Sequence, residues 1–194
     1  MARPVSKSRR FPRTRRFART LFFAGLCLLL VLAWLRISGT ERVEQRTVSA
    51  AGERVYVADG DTLRIGERTI RIVGIDAVEL KQFCREKDGA VWSCGTRARD
   101  AMQGLVDRGG LECRTREKDK YRRDVATCGV KGVEDIGAAL VSQGWAVNEA
   151  DRESGAYLIE EAQAKREGRG IWRGDFQMPS IWRDAHAYQP RSAL

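Results

Sequence analysis

The sequence predicts a β-rich α+β fold, a five-stranded barrel with about three packed helices, preceded by one apolar N-terminal helix. The first observation is an alternating apolar pattern interrupted by turn residues, which favours short strands over helices. The second is a set of later segments with helical spacing of apolar residues. The predicted elements are a strand from residue 55, a hairpin of 63–65 and 69–75, strands 111–116 and 125–130, and helices from about residues 96, 134 and 156.

The first hairpin predicts a cluster of charged side chains. The tight turn Gly66-Glu67 joins its strands, and Arg71 alternates with two isoleucines, so its side chain points away from them. The short turn places Asp61 opposite Arg71 or one residue away. Asp76 ends the second strand, so we expect Asp61, Arg71 and Asp76 to converge.

The first two predicted helices have apolar residues at helical spacing, and each of the three ends at or near a glycine. The first helix begins near Thr96 and ends before Gly109-Gly110. The second begins near Glu134. The third spans 156–167, and Gly168 follows it as a terminator.

The positive charge is concentrated at the N-terminus. The formal net charge is +9, and the first 19 residues carry +8 of it without any acidic residue, which leaves +1 for the rest. A high overall charge is therefore no argument here that the folded part binds nucleic acid.

An uncharged apolar segment, 21–35, follows this basic tail between Arg19 and Arg36. Its length lies between a signal-peptide core, roughly 7–15 residues, and a membrane-spanning helix, roughly 17–25 residues. We favour an uncleaved signal anchor that binds the membrane, and a cleaved signal peptide is the alternative. The positive-inside rule then places the N-terminus in the cytoplasm and the domain in the periplasm or outside the cell.

The expected organisation therefore has five parts. They are a basic cytoplasmic tail (1–19), a transmembrane signal anchor (20–37), a linker (38–52), the folded domain (53–173) and a loosely packed C-terminal tail (174–194). The protein is then a single-pass protein of the cell membrane, or a secreted one if the signal is cleaved.

Four cysteines fall in the predicted exported part, and an even number there favours two disulfides. Zinc is the alternative, but there is no C-x-x-C pair, and the only histidine is His186. Of the three possible pairings we favour Cys84–Cys94 and Cys113–Cys128, the second of which would cross a predicted hairpin.

The candidate functional residues are acidic and basic groups at the strand ends. Asp76 ends an apolar strand, where its charge requires compensation, and Asp61 is its predicted neighbour. Carboxylate and carbonyl oxygens suit Ca²⁺ or Mg²⁺ better than zinc or copper. Glu79 could orient or deprotonate a water molecule. Taken singly, each group also fits an ordinary structural role, such as a turn aspartate or a solvated loop glutamate.

Several ordered motifs from about Val55 to Trp172 resemble the thermonuclease family, the staphylococcal-nuclease-like domains. Together they cover more than half of the chain, which makes the resemblance specific. The matching segments are Asp59-Gly60-Asp61-Thr62, the strand arginine Arg71, Asp76-Ala77-Val78-Glu79, Asp119-Lys120-Tyr121-Arg122-Arg123, residues 140–146, Glu161 to Lys165 and Gly170-Ile171-Trp172.

The resemblance implies an OB-fold-like barrel and Ca²⁺-dependent hydrolysis of phosphodiester bonds in DNA or RNA. It implies that Asp61, Asp76 and the backbone carbonyl of Ala77 bind the calcium ion. Glu79 would be the general base. The implied substrate contacts are Arg71 and Arg123 on the phosphate and Lys120 and Tyr121 on the nucleotide.

Two positions depart from the family pattern. Val78 replaces a proline, so the segment before Glu79 lacks a restricted φ angle. Arg122 replaces a glycine, so we expect an altered or strained turn before Arg123.

The leading hypothesis is a membrane-anchored, extracytoplasmic calcium-dependent nuclease. The alternative is a nucleic-acid or protein binding module on a nuclease-like barrel. A structural envelope protein is a third hypothesis, and it predicts no effect of metal ions on stability.

Overall fold

The computed structural model describes residues 25–30, 32, 46–50, 54–149 and 156–186. The chain divides into two compact units, Met1–Val43 and Glu44–Leu194. In the first unit, residues 25–30 and 32 are helical and exposed, and the other residues of the predicted tail and anchor lie outside the described ones. No helix of the described residues is long and apolar enough to span a bilayer.

The second unit contains eleven strands, four α-helices and one 3₁₀ helix among its described residues. The strands are β1 (Arg46–Ser49), β2 (Val55–Val57), β3 (Thr62–Ile65), β4 (Arg68–Ile72), β5 (Ile75–Ala77), β6 (Cys84–Glu86), β7 (Val91–Trp92), β8 (Glu112–Lys118), β9 (Asp124–Gly129), β10 (Ala146–Asn148) and β11 (Gly174–Asp175). The helices are α1 (Cys94–Val106), α2 (Ile136–Ser142), α3 (Leu158–Glu167), α4 (Pro179–Ala185) and the 3₁₀ helix Gly170–Arg173.

A mixed six-stranded sheet is the centre of this unit, with the strand order β1-β8-β9-β4-β3-β2. The β4–β9 pair is parallel and the other pairs are antiparallel. Two smaller sheets, β10-β5 and β11-β6-β7, lie outside it. This mixed sheet and its helices fit the predicted OB-like fold.

The β3–β4 hairpin has the predicted turn and register. Thr62 pairs with Arg71, so Asp61 lies one residue beyond the partner of Arg71. Gly66 in the turn has a φ of 56°, a conformation that glycine adopts without steric cost. The hairpin therefore brings Asp61 to the buried side chain of Arg71.

Two apolar clusters hold the domain together. The larger one lies between the central sheet and helices α1 and α2, with fully buried residues such as Leu63, Ile70 and Met102. Burying one such side chain stabilises the fold by roughly 1.5–3 kcal/mol. The smaller cluster contains Val78 and Ile171, and it supports the segment that carries Glu79.

Both predicted disulfides are confirmed. Cys84–Cys94 joins β6 to the start of α1, and Cys113–Cys128 links directly paired residues of β8 and β9. The zinc alternative is therefore wrong. In the chain-entropy model, closing a loop of the size of that between Cys113 and Cys128 stabilises a fold by roughly 3 kcal/mol.

Two segments that we predicted to be irregular are ordered. Residues 46–49 of the predicted linker form β1, a mostly polar strand in which only Val48 is buried. The predicted tail contains β11 and α4, and its residues 187–194 lie outside the described ones. The expected domain limits of 53 and 173 are therefore too narrow.

The predicted five strands and three helices are also too few. The central sheet has six strands because β1 pairs with β8, and a fourth helix, α4, follows the last predicted one. Both additions depend on pairing or packing with distant segments, for which a short stretch of sequence has no local signal.

Candidate active site

A polar cleft of about 670 Å³ contains most of the predicted functional residues. It is bordered by the hairpin β3–β4, the tip of the β8–β9 hairpin, the segment after β5 and helix α4. Its lining residues are Asp59, Asp61, Arg71, Glu79, Lys120, Tyr121, Arg123, Glu149, Ser180, Arg183 and Asp184.

Arg71 and Asp61 form a buried ion pair at the base of the cleft. The Nη1 atom of Arg71 lies 2.9 Å from each carboxylate oxygen of Asp61. The hydroxyl of Thr62 donates to the same carboxylate at 2.8 Å, and the backbone N–H of Ala77 donates to it at 3.1 Å. Asp61 therefore accepts hydrogen bonds from three groups, and the contact with Ala77 is through its N–H, whereas the role of its carbonyl as a calcium ligand stays a prediction.

The second terminal nitrogen of Arg71 faces two further carboxylates. Nη2 lies 3.4 Å from Asp76 Oδ1 and 3.7 Å from Glu149 Oε2. Burial by itself lowers the pKa of Arg71, but the charges of Asp61, Glu149 and Asp76 outweigh it and raise that pKa. The predicted convergence of Asp61, Arg71 and Asp76 is thus confirmed.

Glu149 is a carboxylate that the sequence reasoning missed. It directly follows β10, and its buried Oε2 accepts no hydrogen bond among the described residues. The strand pairing of β10 with β5 places it near Asp76, because Val147 pairs with Asp76. This pairing is long-range, so no local pattern indicated the role of Glu149.

Asp59 is a further carboxylate of the cleft, next to Asp61. Burial, followed by repulsion from Asp61, raises the pKa of Asp59 to about 7. Its Oδ1 accepts a hydrogen bond from the backbone N–H of Asp61 at 3.0 Å. Neighbouring carboxylates such as these offer oxygen donors that suit a hard cation.

Helix α4 supplies an arginine that the sequence reasoning did not find. Nη1 of Arg183 lies 2.7 Å from Asp76 Oδ1 and 2.8 Å from Glu79 Oε1, and Nη2 lies 3.0 Å from Asp76 Oδ2. The hydrogen bond with Asp76 raises the pKa of Arg183, although burial opposes this. Arg183 is separated from these carboxylates by more than 100 residues of sequence, so only the tertiary fold could reveal the contact.

Contacts with Gln82 and Gly95 position the segment that carries Glu79. The Gln82 side chain accepts from the Glu79 backbone N–H at 3.1 Å and donates to the Gln177 carbonyl at 2.6 Å. Gly95 packs so closely that a Cβ atom there would overlap the carbonyl oxygen of Glu79. These contacts and the burial of Val78 hold the segment in place, although Val78 replaces the proline of the family pattern.

The tip of the β8–β9 hairpin positions Arg123. The buried carboxylate of Asp119 accepts from the backbone N–H groups of Tyr121 and Arg123 at 2.9 Å and from Arg123 Nε at 2.7 Å. Burial by itself raises the pKa of Asp119, but the hydrogen bonds from Arg123 lower it overall. Arg123 is therefore held at the cleft through its Nε atom and its backbone.

The same turn carries two exposed substrate candidates and the expected strain. The ammonium of Lys120 lies 5.1 Å from the centre of the Tyr121 ring, and Tyr121 is 67% exposed. Arg122 has a φ of 66°, the only positive φ of a non-glycine residue in the described part of the chain. The strain predicted from the replaced glycine is therefore present.

A calcium site remains a prediction. No three His, Cys, Asp or Glu side chains of the described residues lie close enough together to hold a metal ion. The available donors nevertheless fit a hard cation, because Asp59, Asp61, Asp76 and Glu79 offer only oxygen atoms. Glu149 adds a carboxylate oxygen that accepts no hydrogen bond among the described residues, although Arg71 Nη2 lies 3.7 Å away.

Residues 69–174 match the family described as Staphylococcal nuclease homologue. The chain belongs to this family. Asp59, Asp61 and Arg183 lie outside the matched range, so their place in the site rests on the contacts described above.

Two proteins are similar in sequence to this chain. The chain is 31% identical over 118 residues to the succinoglycan biosynthesis protein ExoI of Rhizobium meliloti (strain 1021). The matched residues cover 60% of this chain and 62% of that protein. The chain is also 29% identical over 156 residues to protein ParB of Escherichia coli. That match covers 72% of this chain and 76% of ParB. The match with ExoI thus spans less than two thirds of that relative.

Proposed function

We propose that the protein is a calcium-dependent nuclease that hydrolyses phosphodiester bonds of DNA or RNA. The observation that carries this proposal is the convergence of Asp61, Arg71, Asp76, Glu79 and Arg123 around one cleft in a member of the staphylococcal nuclease family. The sequence predicted that Asp61, Arg71 and Asp76 converge, and Glu79 and Arg123 line the same cleft.

Asp61, Asp76 and the carbonyl of Ala77 are the proposed ligands of the calcium ion. Bound there, Ca²⁺ would supply positive charge that polarises the scissile phosphate. Asp61 and Asp76 are each less than 10% exposed. Their charges are therefore weakly screened by solvent and act strongly on a nearby cation.

Glu79 is the proposed general base. Its carboxylate takes a proton from the attacking water, the water oxygen bonds to phosphorus, and the leaving oxygen departs and takes a proton from solvent. Arg71 and Arg123 stabilise the extra negative charge on the phosphate oxygens in the transition state. A guanidinium suits this role because its planar donors match two phosphate oxygens.

Lys120 and Tyr121 are the proposed nucleotide contacts. Tyr121 exposes its ring beside the cleft, where a base of a single strand could stack on it, and Lys120 adds a positive charge. The rest of the chain beyond the basic tail carries only +1. We therefore expect binding to long nucleic acids to be weak and local.

The direct test is digestion of single-stranded DNA by the full-length chain with Ca²⁺ and with excess chelator. We expect cleavage only with Ca²⁺ and a loss of at least about 100-fold in kcat for Glu79→Gln. The matched control is Glu67→Gln, because Glu67 is an exposed glutamate in the β3–β4 turn. Unchanged kcat in Glu79→Gln would remove Glu79 from the mechanism.

One observation favours the alternative, a binding module without catalysis. Arg183 pairs with both Asp76 and Glu79, so neither carboxylate is free in this conformation. A binding module would retain DNA in a filter assay and release no acid-soluble nucleotides at any Ca²⁺ concentration, whereas a nuclease would release them.

We also propose that the domain acts outside the cytoplasm. The two disulfides support this location, because such bonds persist in oxidising compartments. The signal anchor stays a prediction from the sequence. Thiol labelling of the protein in its native cells, before and after reduction, tests the location, and four free thiols before reduction would contradict it.

A further inference from the structure

Arg183 occupies the carboxylate oxygens that the proposed nuclease would need. Its guanidinium bridges Asp76, a proposed calcium ligand, and Glu79, the proposed base. Nη1 and Nη2 each contact a different oxygen of Asp76, at 2.7 and 3.0 Å. The arginine therefore provides, in this conformation, the positive charge that the carboxylates require.

A calcium ion and Arg183 cannot both use these oxygens in this arrangement. Calcium binds carboxylate oxygens at 2.3–2.6 Å. An oxygen that binds the ion so closely has little room for hydrogen-bond donors as well. The guanidinium lies within hydrogen-bonding distance of both oxygens of Asp76 and of one oxygen of Glu79. Two cations of total charge +3 at one carboxylate would also repel each other strongly in a partly buried site.

The helix that carries Arg183 is held to the domain by few contacts. Of the seven residues of α4, only Pro179 is buried, and Ile181 is 54% exposed. The segment before α4 is better anchored, because β11 pairs with β6 and the Gln177 carbonyl accepts from the buried Gln82. Release of α4 would thus expose mainly Pro179 and the half-buried Trp182 and would leave the base of the helix attached.

We propose that residues 177–186, the C-terminal strap, inhibit the active site until a divalent cation displaces Arg183. This inference rests on the proposed function, because it assigns Asp76 to the metal and Glu79 to the chemistry. In the closed state Arg183 holds both carboxylates. In the open state the cation takes Asp76, Glu79 becomes free, and Arg183 moves away with α4.

The strap makes activation depend on cation concentration. Each calcium ion must break the Arg183 contacts before it binds, which lowers its apparent affinity. The domain would therefore remain inactive where calcium is scarce and become active where it is abundant. The doubly charged ion is favoured over monovalent ions, because one positive charge gains nothing over the guanidinium that it replaces.

Calcium titration of the full-length chain by calorimetry tests the strap. We expect Arg183→Gln to bind Ca²⁺ at least about tenfold more tightly than the wild type, since it removes charge-assisted hydrogen bonds that the ion must otherwise break. Arg183→Lys keeps the charge and loses the forked geometry, so its affinity should lie between the two.

Arg173→Gln is the matched control. Arg173 also pairs with a glutamate, Glu86, and its side chain is 42% exposed, compared with 40% for Arg183. It lies on the 3₁₀ helix rather than on the strap, and it does not line the cleft. Its substitution should leave the Ca²⁺ affinity unchanged, so a general loss of positive charge cannot account for a difference.

Hydrogen exchange separates release of the strap from a purely electrostatic effect. Saturating Ca²⁺ should speed exchange of the backbone amides of residues 180–186 in the wild type and leave the β8–β9 amides unchanged. Equal Ca²⁺ affinity of wild type and Arg183→Gln overturns the proposal. It is also overturned if neither protein binds Ca²⁺, or if exchange in α4 does not change.

The binding data and the nuclease assay have independent outcomes. If Arg183→Gln binds Ca²⁺ more tightly and α4 is released, but no variant cleaves DNA, the competition between Arg183 and the cation stands and the nuclease proposal fails. If all variants cleave DNA and their Ca²⁺ affinities are equal, the nuclease proposal stands and the strap fails.

Discussion

Nη1 of Arg71 lies 2.9 Å from both carboxylate oxygens of Asp61, and both residues are less than 10% exposed. The guanidinium also lies within 4 Å of Asp76 and Glu149, so one arginine compensates three carboxylates. Breaking such a pair from one side leaves buried charge without a partner, which is far more costly than losing a surface ion pair.

We therefore expect Arg71→Met to destabilise the domain by about 3–5 kcal/mol when no divalent cation is present. Urea denaturation of wild type, Arg71→Met, Asp61→Asn and the double variant measures this. The double variant should be more stable than the sum of the single losses predicts, because it removes both charges.

Arg64→Met is the control for this prediction. Arg64 lies on the same hairpin and is exposed, so its loss should cost less than about 0.5 kcal/mol. Strictly additive losses in Arg71→Met and Asp61→Asn would show that the two side chains are not coupled.

Gly95 is expected to control the position of Glu79. A methyl group at this position would overlap the Glu79 carbonyl oxygen. Gly95→Ala should therefore displace this backbone, destabilise the domain by about 1–3 kcal/mol and lower kcat. Thermal unfolding and the nuclease assay test both effects.

Gly104→Ala is the matched control in the same helix. Apart from its chain neighbours and the backbone of its own helix, no atom would lie within 4 Å of the new methyl group, and Gly104 is exposed. This substitution should stabilise the domain by about 0.5–1 kcal/mol, because alanine favours a helix over glycine. A loss of stability in Gly95→Ala no different from that in Gly104→Ala would contradict the close packing at Glu79.

The Arg122→Gly variant of the domain should be more stable than the Arg122→Ala variant. Its φ of 66° costs an L-residue roughly 1–2 kcal/mol, and the greater freedom of an unfolded glycine offsets part of that. We expect Arg122→Gly to exceed Arg122→Ala in unfolding free energy by about 0.5–1 kcal/mol. Both variants lose the same charge, so equal stabilities would contradict the strained turn.

Asp124 should stabilise the domain in a pH-dependent way. Burial by itself raises the pKa of this carboxyl, but hydrogen bonds from Lys118 and Arg68, at 2.7 and 2.9 Å, lower it overall. Because the folded-state pKa lies below the ordinary value of 3.8, the stabilisation is present above pH 3.8 and disappears as the pH falls through the lowered pKa.

Asp124→Asn should therefore lower the melting temperature at pH 7, by about 5 °C. The difference from the wild type should shrink as the pH falls below 3.8. Melting curves of both proteins from pH 2.5 to 7 measure this. A difference that is the same at every pH would mean that packing, and not the ionised carboxylate, accounts for the stabilisation.

Much of the fold followed from local patterns. The β3–β4 hairpin was predictable because a two-residue turn defines its register, which placed Asp61 beside Arg71. The Cys113–Cys128 bond followed in the same way, because its residues lie on the two arms of one hairpin. Local steric preferences and short loops determine such elements with little help from the rest of the chain.

The missed elements have no comparable local signal. Strand β1 has four residues and one buried side chain, and only its pairing with β8 makes it a strand. Helix α4 has seven residues, as α2 has, but only Pro179 of them is buried, so it lacks the buried apolar face that made α2 predictable. Both are stabilised by contacts with distant parts of the domain.

The sequence by itself determined the family motifs, the hairpins and the carboxylates near Arg71, and it favoured the disulfide pairs that the structure has. Only the tertiary structure decided that Glu149 joins them and that Arg183 binds Asp76 and Glu79. The physical reason is range: turns and hairpins depend on neighbouring residues, whereas charge compensation between buried groups depends on which distant segments the fold packs side by side.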